Sequence, residues 1–140
     1  MNELVRFGVS IEPSLLEQFD EIVEKRGYPT RSEALRDMIR DALIKEKISI
    51  QDNSEVLGSL TLIYDHHAGK LLQQMNDIQH EQHDIILSVM HMHVSHDDCM
   101  EIIALRGKAS DIAGLANKLI SLKGIKNGKL FLTLPSSDIA

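Results

Sequence analysis

The N-terminal stretch LVRFGVSI, residues 4–11, constrains the fold of this 140-residue chain more than any other segment. Its hydrophobic residues fall at every second position, and Arg6, Gly8 and Ser10 occupy the positions between them. This alternation is typical of a half-buried β-strand. Two helical segments follow, one opening at Pro13 and one at the capping sequence TRSE, so the strand has no neighbouring strand to pair with.

A single strand beside two short helices leaves both strand edges unpaired and buries too little surface to fold alone. Pairing with the same strand of a second copy solves both problems, because two strands then form an antiparallel ribbon and four helices share one core. We therefore expect residues 1–48 to form a strand–helix–helix domain that is an obligate dimer. The polar segment at residues 49–54 is expected to be a linker.

The remainder of the chain, residues 55–140, alternates between strand-like and helix-like patterns. The predicted strands are 56–64, 85–94, 99–107 and 128–135, and the predicted helices are about 67–82 and 110–124. This βαββαβ order is that of the split βαβ sandwich of the ferredoxin-like, or ACT-type, fold. The overall class is therefore α+β, with a βαα domain followed by a βαββαβ domain.

The segment HMHVSHDDC, residues 91–99, concentrates histidines and the only cysteine of the chain. Alternation along a strand places His91 and His93 on one face. The other face carries Met90, Met92 and Val94, and we expect the helices to cover it.

A tight turn at residues 95–98 would return the chain antiparallel to the histidine strand. An even register then places Cys99 beside His93 and Glu101 beside His91. Imidazole and thiolate ligands suit zinc, nickel or copper, with a planar site favouring nickel or copper and a tetrahedral site favouring zinc. A flat sheet face offers three convergent ligands, and His80 of a facing subunit is a natural fourth.

Two other uses of the cysteine are less well supported. A nucleophilic pair of cysteine and histidine lacks a third orienting residue and any sign of an oxyanion hole. Redox sensing by Cys99 lacks a second cysteine in the chain. The pattern therefore favours metal binding.

Charge and hydropathy limit the class of protein further. The formal net charge is −6, so any DNA contact must come from a local group of arginines and not from a generally basic surface. No apolar run approaches the length of a membrane span, and the N-terminus lacks the apolar core of a signal peptide. We expect a cytoplasmic protein.

The two halves together resemble a known family. Residues 1–47 resemble a ribbon-helix-helix DNA-binding domain, and the stretch HMHVSHDDCME, with QHEQHD upstream, resembles the metal-binding domain of nickel-responsive transcriptional regulators. The resemblance implies one Ni(II) per subunit. It assigns three ligands to one subunit, namely His91, His93 and Cys99, and the fourth, His80, to the opposing subunit.

Other site residues are also implied by the resemblance. Tyr64 and Glu101 match residues that support the nickel ligands, and Glu33 and Asp37 match carboxylates that in some members hold a second cation. The positions that read bases in the major groove match Arg6, Gly8 and Ser10. Family members usually carry a hydroxyl side chain where this chain has Gly8, and glycine can make no side-chain hydrogen bond to a base. The acidic balance of the first domain leaves phosphate contacts to few groups, and Arg36 is a candidate.

The resulting expectation is a homotetrameric, non-enzymatic regulator that binds double-stranded DNA and represses nickel uptake when Ni(II) is bound. A metal-buffering protein without regulated DNA binding is the first alternative, and it would account for the acidic charge and for Gly8. An amino-acid sensor is the second, because similar βαββαβ domains bind small effectors. The histidine and cysteine cluster argues against the sensor.

Overall fold

The computed structural model describes residues 3–50 and 55–135, except for the side chains of residues 49 and 50. Most of the predicted linker, residues 51–54, lies outside the described residues, as do residues 136–140 at the end of the predicted second domain. The chain divides into two compact units, Met1–Asp41 and Ala42–Ala140. This boundary falls inside the second helix, earlier than the boundary that the sequence suggests.

The first unit contains α1, Pro13–Lys25, and the larger part of α2, Arg31–Ile50. The segment before α1 was predicted to be a strand, yet no described residue pairs with it in a β-ladder, and its apolar side chains Val5, Phe7 and Val9 are exposed. A strand is defined by its hydrogen-bonded neighbour, and a single chain provides none here.

The turn between α1 and α2 depends on glycine. Gly27 has a φ of 74°, a backbone conformation that residues with a Cβ atom avoid. Its N–H donates to the carbonyl of Glu24, and the N–H of Tyr28 donates to the carbonyl of Val23, both at 3.0 Å. This is the Schellman arrangement that ends many helices.

Of the two hydrogen bonds in the predicted capping box of α2, the structure contains the one accepted by the Thr30 side chain. The N–H of Glu33 donates to Oγ1 of Thr30 at 3.1 Å. The carboxylate of Glu33 accepts a hydrogen bond from Arg36. Among the described residues, no helix, including the 20-residue α2, is both long enough and apolar enough to cross a membrane.

The second unit has the predicted βαββαβ order, and the prediction is confirmed. Its elements are β1 Glu55–Asp65, α3 Leu71–Glu81, a short 3₁₀ helix His83–Ile85, β2 Ile86–His93, β3 Asp98–Lys108, α4 Ala109–Ile120 and β4 Ile125–Thr133. The four strands form one antiparallel sheet in the order β2-β3-β1-β4. The two central strands are therefore β3 and β1, and β2 lies at an edge.

Helices α3 and α4 cover one face of this sheet. The core consists of side chains from the two central strands and from both helices, among them Leu60, Ile103, Met75, Ile112 and Leu119. All five are almost fully buried. The last turns of α2 also pack on this core, through Ile44 and Ile48.

The histidines of β2 lie on the helix-covered face, so the prediction that the methionines lie there is wrong. Cys99 pairs with Tyr64 of β1, which is a core residue, and also with His93 of β2. Directly paired residues share a face of the sheet. Met90 and Met92 therefore lie on the open face. The helices cover mainly the central strands and leave much of the edge strand β2 exposed on both faces, so hydrophobicity along β2 does not indicate which face is covered.

We expect opposite effects from alanine at two glycines. Gly27→Ala should lower the free energy of unfolding by about 1 kcal/mol, because alanine is strained at positive φ. Gly114→Ala should raise it by about 0.4–1 kcal/mol, because Gly114 lies within α4 and a Cβ there meets nothing within 4 Å. Denaturant unfolding at one fixed protein concentration measures both changes. Equal effects of the two variants would contradict the assigned turn.

Candidate metal centre

The register of β2 against β3 brings the predicted donors together. His93 is directly opposite Cys99, and His91 is directly opposite Glu101. The even register inferred from the sequence is therefore confirmed. All four side chains lie on the helix-covered face, at the end of the sheet where β1 also finishes.

A buried sulfur lies between two imidazole rings. Cys99 is 1% exposed, and its Sγ atom is 3.5 Å from Nδ1 of His93 and 3.4 Å from Nδ1 of His66. The rings of His66 and His93 meet edge to face, with centroids 4.6 Å apart. His66, His93 and Cys99 thus form a group whose donor atoms all lie within 4.8 Å of one another.

The spacing of this group matches metal coordination. A metal about 2.3 Å from sulfur and about 2.0–2.1 Å from nitrogen places the two donors roughly 3.5 Å apart at a tetrahedral angle and roughly 3.1 Å apart at a right angle. The observed distances of 3.4 and 3.5 Å agree with the tetrahedral value. The spacing of these donors therefore fits a transition-metal ion.

His66 was not predicted from the sequence. It follows β1 in the loop that leads to α3, and its backbone N–H donates to the carbonyl of Asp97 at 2.8 Å. That hydrogen bond joins the loop to the turn between β2 and β3. As a result, the His66 side chain lies beside Cys99. The sequence did offer one sign of a ligand here, the adjacent histidines His66 and His67 just after a predicted strand. That sign points to Cys99 only when the pairing of the strands is known.

His91 is contacted by two polar side chains from the central strands β1 and β3. The hydroxyl of Tyr64 is 2.8 Å from Nδ1 of His91, and Oε1 of Glu101 is 3.7 Å from the same nitrogen. Glu101 is buried, and its other oxygen accepts a hydrogen bond from Nε2 of Gln79 at 2.9 Å. Residues predicted to support the site therefore contact one of its predicted ligands.

The environment keeps the Tyr64 phenol protonated. Burial raises the pKa of Tyr64 well above its usual range, and the neighbouring acidic groups of Glu101 and Cys99 raise that pKa further. The hydroxyl therefore remains a neutral hydrogen-bonding partner of Nδ1 of His91, and it donates to that nitrogen when the nitrogen is bare and accepts from it when the nitrogen carries the proton.

The remaining predicted ligand lies apart from this group. His80 is exposed in the last turn of α3, and its carbonyl is 3.1 Å from Nδ1 of His83. Among the described residues, neither His80 nor His91 belongs to a group of three or more donors within 4.8 Å. One chain thus brings together two of the four predicted ligands, His93 and Cys99, and adds His66.

The site residues predicted in the first unit all belong to the part of the chain that the structure describes. Arg6, Gly8 and Ser10 lie in the exposed segment before α1. The carboxylates proposed for a second cation have partners of their own: Glu33 accepts from Arg36, and Asp37 accepts from the hydroxyl of Tyr28. Arg36, the candidate phosphate contact, is therefore paired with Glu33.

Comparison with known proteins supports the family that the sequence suggested for each half of the chain. Residues 57–133 match the family described as the NikR C-terminal nickel-binding domain, and residues 5–46 match ribbon-helix-helix proteins of the copG family.

Relatives that match almost the whole chain are named "Putative nickel-responsive regulator". One from Nitratidesulfovibrio vulgaris is 45% identical over 139 residues, which is 99% of each chain. One from Dictyoglomus thermophilum is 47% identical over 133 residues, covering 95% of this chain and 98% of its own. An uncharacterized protein from Thermotoga maritima, 20% identical, shares the fold over 56% of this chain and 98% of its own, with a TM-score of 0.52.

We expect the amide of Gln79 to stabilise the metal-free protein. Gln79→Leu leaves buried Glu101 without this donor, which should cost about 1–3 kcal/mol of unfolding free energy. The control is Gln73→Leu, because Gln73 donates at 2.8 Å to Asp77, with both residues exposed on the same helix. That change should stay within about 0.5 kcal/mol. If denaturant unfolding showed the same loss of unfolding free energy for Gln79→Leu and Gln73→Leu, the role assigned to Gln79 would be wrong.

Proposed function

The chain belongs to the NikR family of nickel-responsive, DNA-binding transcriptional regulators, a non-enzymatic class, and we propose that it represses nickel uptake when nickel is bound. We further propose one Ni(II) per subunit, held by His91, His93 and Cys99 together with His80 of the partner subunit. The protein would act in the cytoplasm, where it reaches double-stranded DNA.

One observation carries the metal assignment. The single cysteine of the chain is buried directly opposite His93, with its sulfur within 3.5 Å of an imidazole nitrogen. A buried sulfur among imidazoles is a donor set for nickel, copper or zinc.

The surroundings of His91 support it as the next ligand. The hydroxyl of Tyr64 is 2.8 Å from Nδ1 and 3.5 Å from Nε2, and Glu101 also approaches Nδ1, so Nε2 is the nitrogen with more freedom to face a metal. Nδ1 would then carry the proton and donate it to one of these two side chains. Second-shell contacts of this kind fix the ring and the tautomer of a ligating histidine. In the proposed planar nickel site, His91 takes the place of the loop residue His66 as the third ligand from one chain. The fourth ligand comes from another chain.

The first unit supports assembly into dimers. Between residues 3 and 41, Ala34 is the only buried residue, so one copy has almost no core. An apolar groove of about 720 Å³ runs along it, lined by residues that include Phe7, Val9, Leu15 and Phe19. A second copy that pairs its N-terminal strand with this one would fill the groove, because the same side chains line both copies.

The second unit supports assembly into a tetramer. The open face of its sheet carries apolar side chains, among them Met90, Met92, Ile102 and Phe131, and Phe131 is 64% exposed. Two such faces can pack on one another. We therefore propose a homotetramer built as a dimer of dimers. Because the nickel donors of β2 lie on the helix-covered face, each nickel site would be completed by a chain that approaches that face or the edge of β2, and not by the chain packed on the open face.

The ribbon would enter the major groove with Arg6, Gly8 and Ser10 towards the bases. Their positions alternate with the apolar residues that the dimer would bury, so they share the outer face of the paired strands. Because Gly8 has no side chain, base recognition at the centre of each strand rests on its neighbours. Nickel regulates this binding only if nickel and operator each tighten the binding of the other.

Mixed tetramers test the shared site. Neither His80→Ala nor His91→Ala should form a complete site in a homotetramer. After partial unfolding and subunit exchange, a facing pair with one chain of each variant has one doubly damaged site and one intact site. We expect the mixture to recover nickel binding and sulfur-to-nickel charge-transfer bands in the near ultraviolet.

Two variants control this experiment. Cys99→Ser should abolish the charge-transfer bands, and His66→Gln should keep them if His91 is the ligand. Mass spectrometry of a tagged mixture confirms exchange. Confirmed exchange without recovered binding would reject the shared site, and loss of the bands in His66→Gln would replace His91 by His66 as ligand.

Arg6 tests the DNA contact. Its guanidinium can read guanine through two hydrogen bonds, so Arg6→Ala should lose about 1–3 kcal/mol of specific operator binding in the nickel-loaded protein. Nickel affinity should not change. Arg106→Ala is the control, because Arg106 is an exposed arginine of the second unit, paired with Glu55. Operator affinity that is equal in both variants and in the unmodified protein would refute docking of the strand in the groove.

A further inference from the structure

A second group of donors lies on the surface beside the buried sulfur. His67, His96 and Asp97 offer donor atoms that all lie within 4.8 Å of one another, and all three residues are exposed. Nε2 of His67 is 3.5 Å from Oδ1 of Asp97, and the rings of His67 and His96 meet edge to face with centroids 5.5 Å apart. None of the three belongs to the proposed nickel ligands.

The backbone holds these residues in place. His67 follows β1, and its N–H donates to Oδ1 of Asp65 at 2.9 Å. The turn that carries His96 and Asp97 is closed by two hydrogen bonds to the carbonyl of Asp98, from Val94 at 3.0 Å and from Ser95 at 3.3 Å.

The loop and the turn are also joined to each other. The N–H of His66 donates to the carbonyl of Asp97, the residue that supplies the carboxylate of the cluster, at 2.8 Å. The three donors therefore come from two segments that the backbone has already brought together. Little ordering remains for a bound ion to impose, which favours binding.

The donor chemistry indicates the ligand. Two imidazoles and one carboxylate suit divalent first-row metals such as nickel, zinc or copper, and do not suit calcium or magnesium, which prefer oxygen ligands. Metal–nitrogen bonds of about 2.0–2.1 Å require donors about 3–4 Å apart, so small rotations of exposed side chains would close the present spacing.

We propose that His67, His96 and Asp97 form a second metal-binding site for a divalent transition-metal ion. It lacks a thiolate and is open to water, so it binds more weakly than a site containing Cys99 and exchanges its ion readily. The proposal does not rest on the regulatory function, because its donors come from one chain and include none of the proposed nickel ligands.

Equilibrium dialysis of the full-length protein with Ni(II) tests the site. We expect a second equivalent of nickel per chain to bind at higher concentration, without adding to the sulfur-to-nickel charge-transfer bands. His67→Gln and His96→Gln should each weaken this second binding by about tenfold or more, since loss of even an outer-shell partner commonly costs that much. Both variants should keep the bands of the first equivalent.

Two matched variants control for general loss of charge or imidazole. His83→Gln removes an exposed histidine outside the cluster, and Asp111→Asn removes an exposed carboxylate in the first turn of α4. Both should keep the second equivalent. A second equivalent that survives His67→Gln and His96→Gln, or that never appears in the unmodified protein, overturns the proposal. Absence of the charge-transfer bands would instead count against the buried nickel site.

Discussion

The pairing register of β2 with β3 is the constraint on which the candidate nickel site depends. It places His93 opposite Cys99 and His91 opposite Glu101, all on one face. A slip of one residue would turn every donor of β2 to the other face and leave the sulfur with the methionines. Because β3 is a central strand whose own inward residues fill the core, its position is fixed by packing, and β2 is aligned to it.

Incompleteness in one chain is common to both units. The first unit has Ala34 as its single buried residue between residues 3 and 41, and the second leaves an apolar sheet face open. In each case the uncovered surface is apolar. In the first unit the residues that alternate with it are those predicted to bind DNA, and in the second unit the predicted metal ligands lie on the other face of the same sheet. Recognition of DNA and of metal would then both depend on the same step, the association of chains.

Local patterns predicted most of the fold. The capping residues of α2, the glycine that ends α1 and the order of strands and helices can be read from the sequence, because each depends on neighbouring residues. The covered face of β2 could not be predicted, since Met90 is apolar and yet 57% exposed on an edge strand. His66 could not be placed either, because its position depends on a hydrogen bond to Asp97, which is distant in the sequence.

Burial of Cys99 has a consequence for chemical durability. A sulfur that is 1% exposed on the helix-covered face of the sheet meets dissolved oxidants mainly when the surrounding structure opens. The chain has no other cysteine with which to form an internal disulfide, and two buried sulfurs cannot approach closely enough to join separate chains. The metal-free protein should therefore keep this thiol out of disulfides for as long as its fold stays closed.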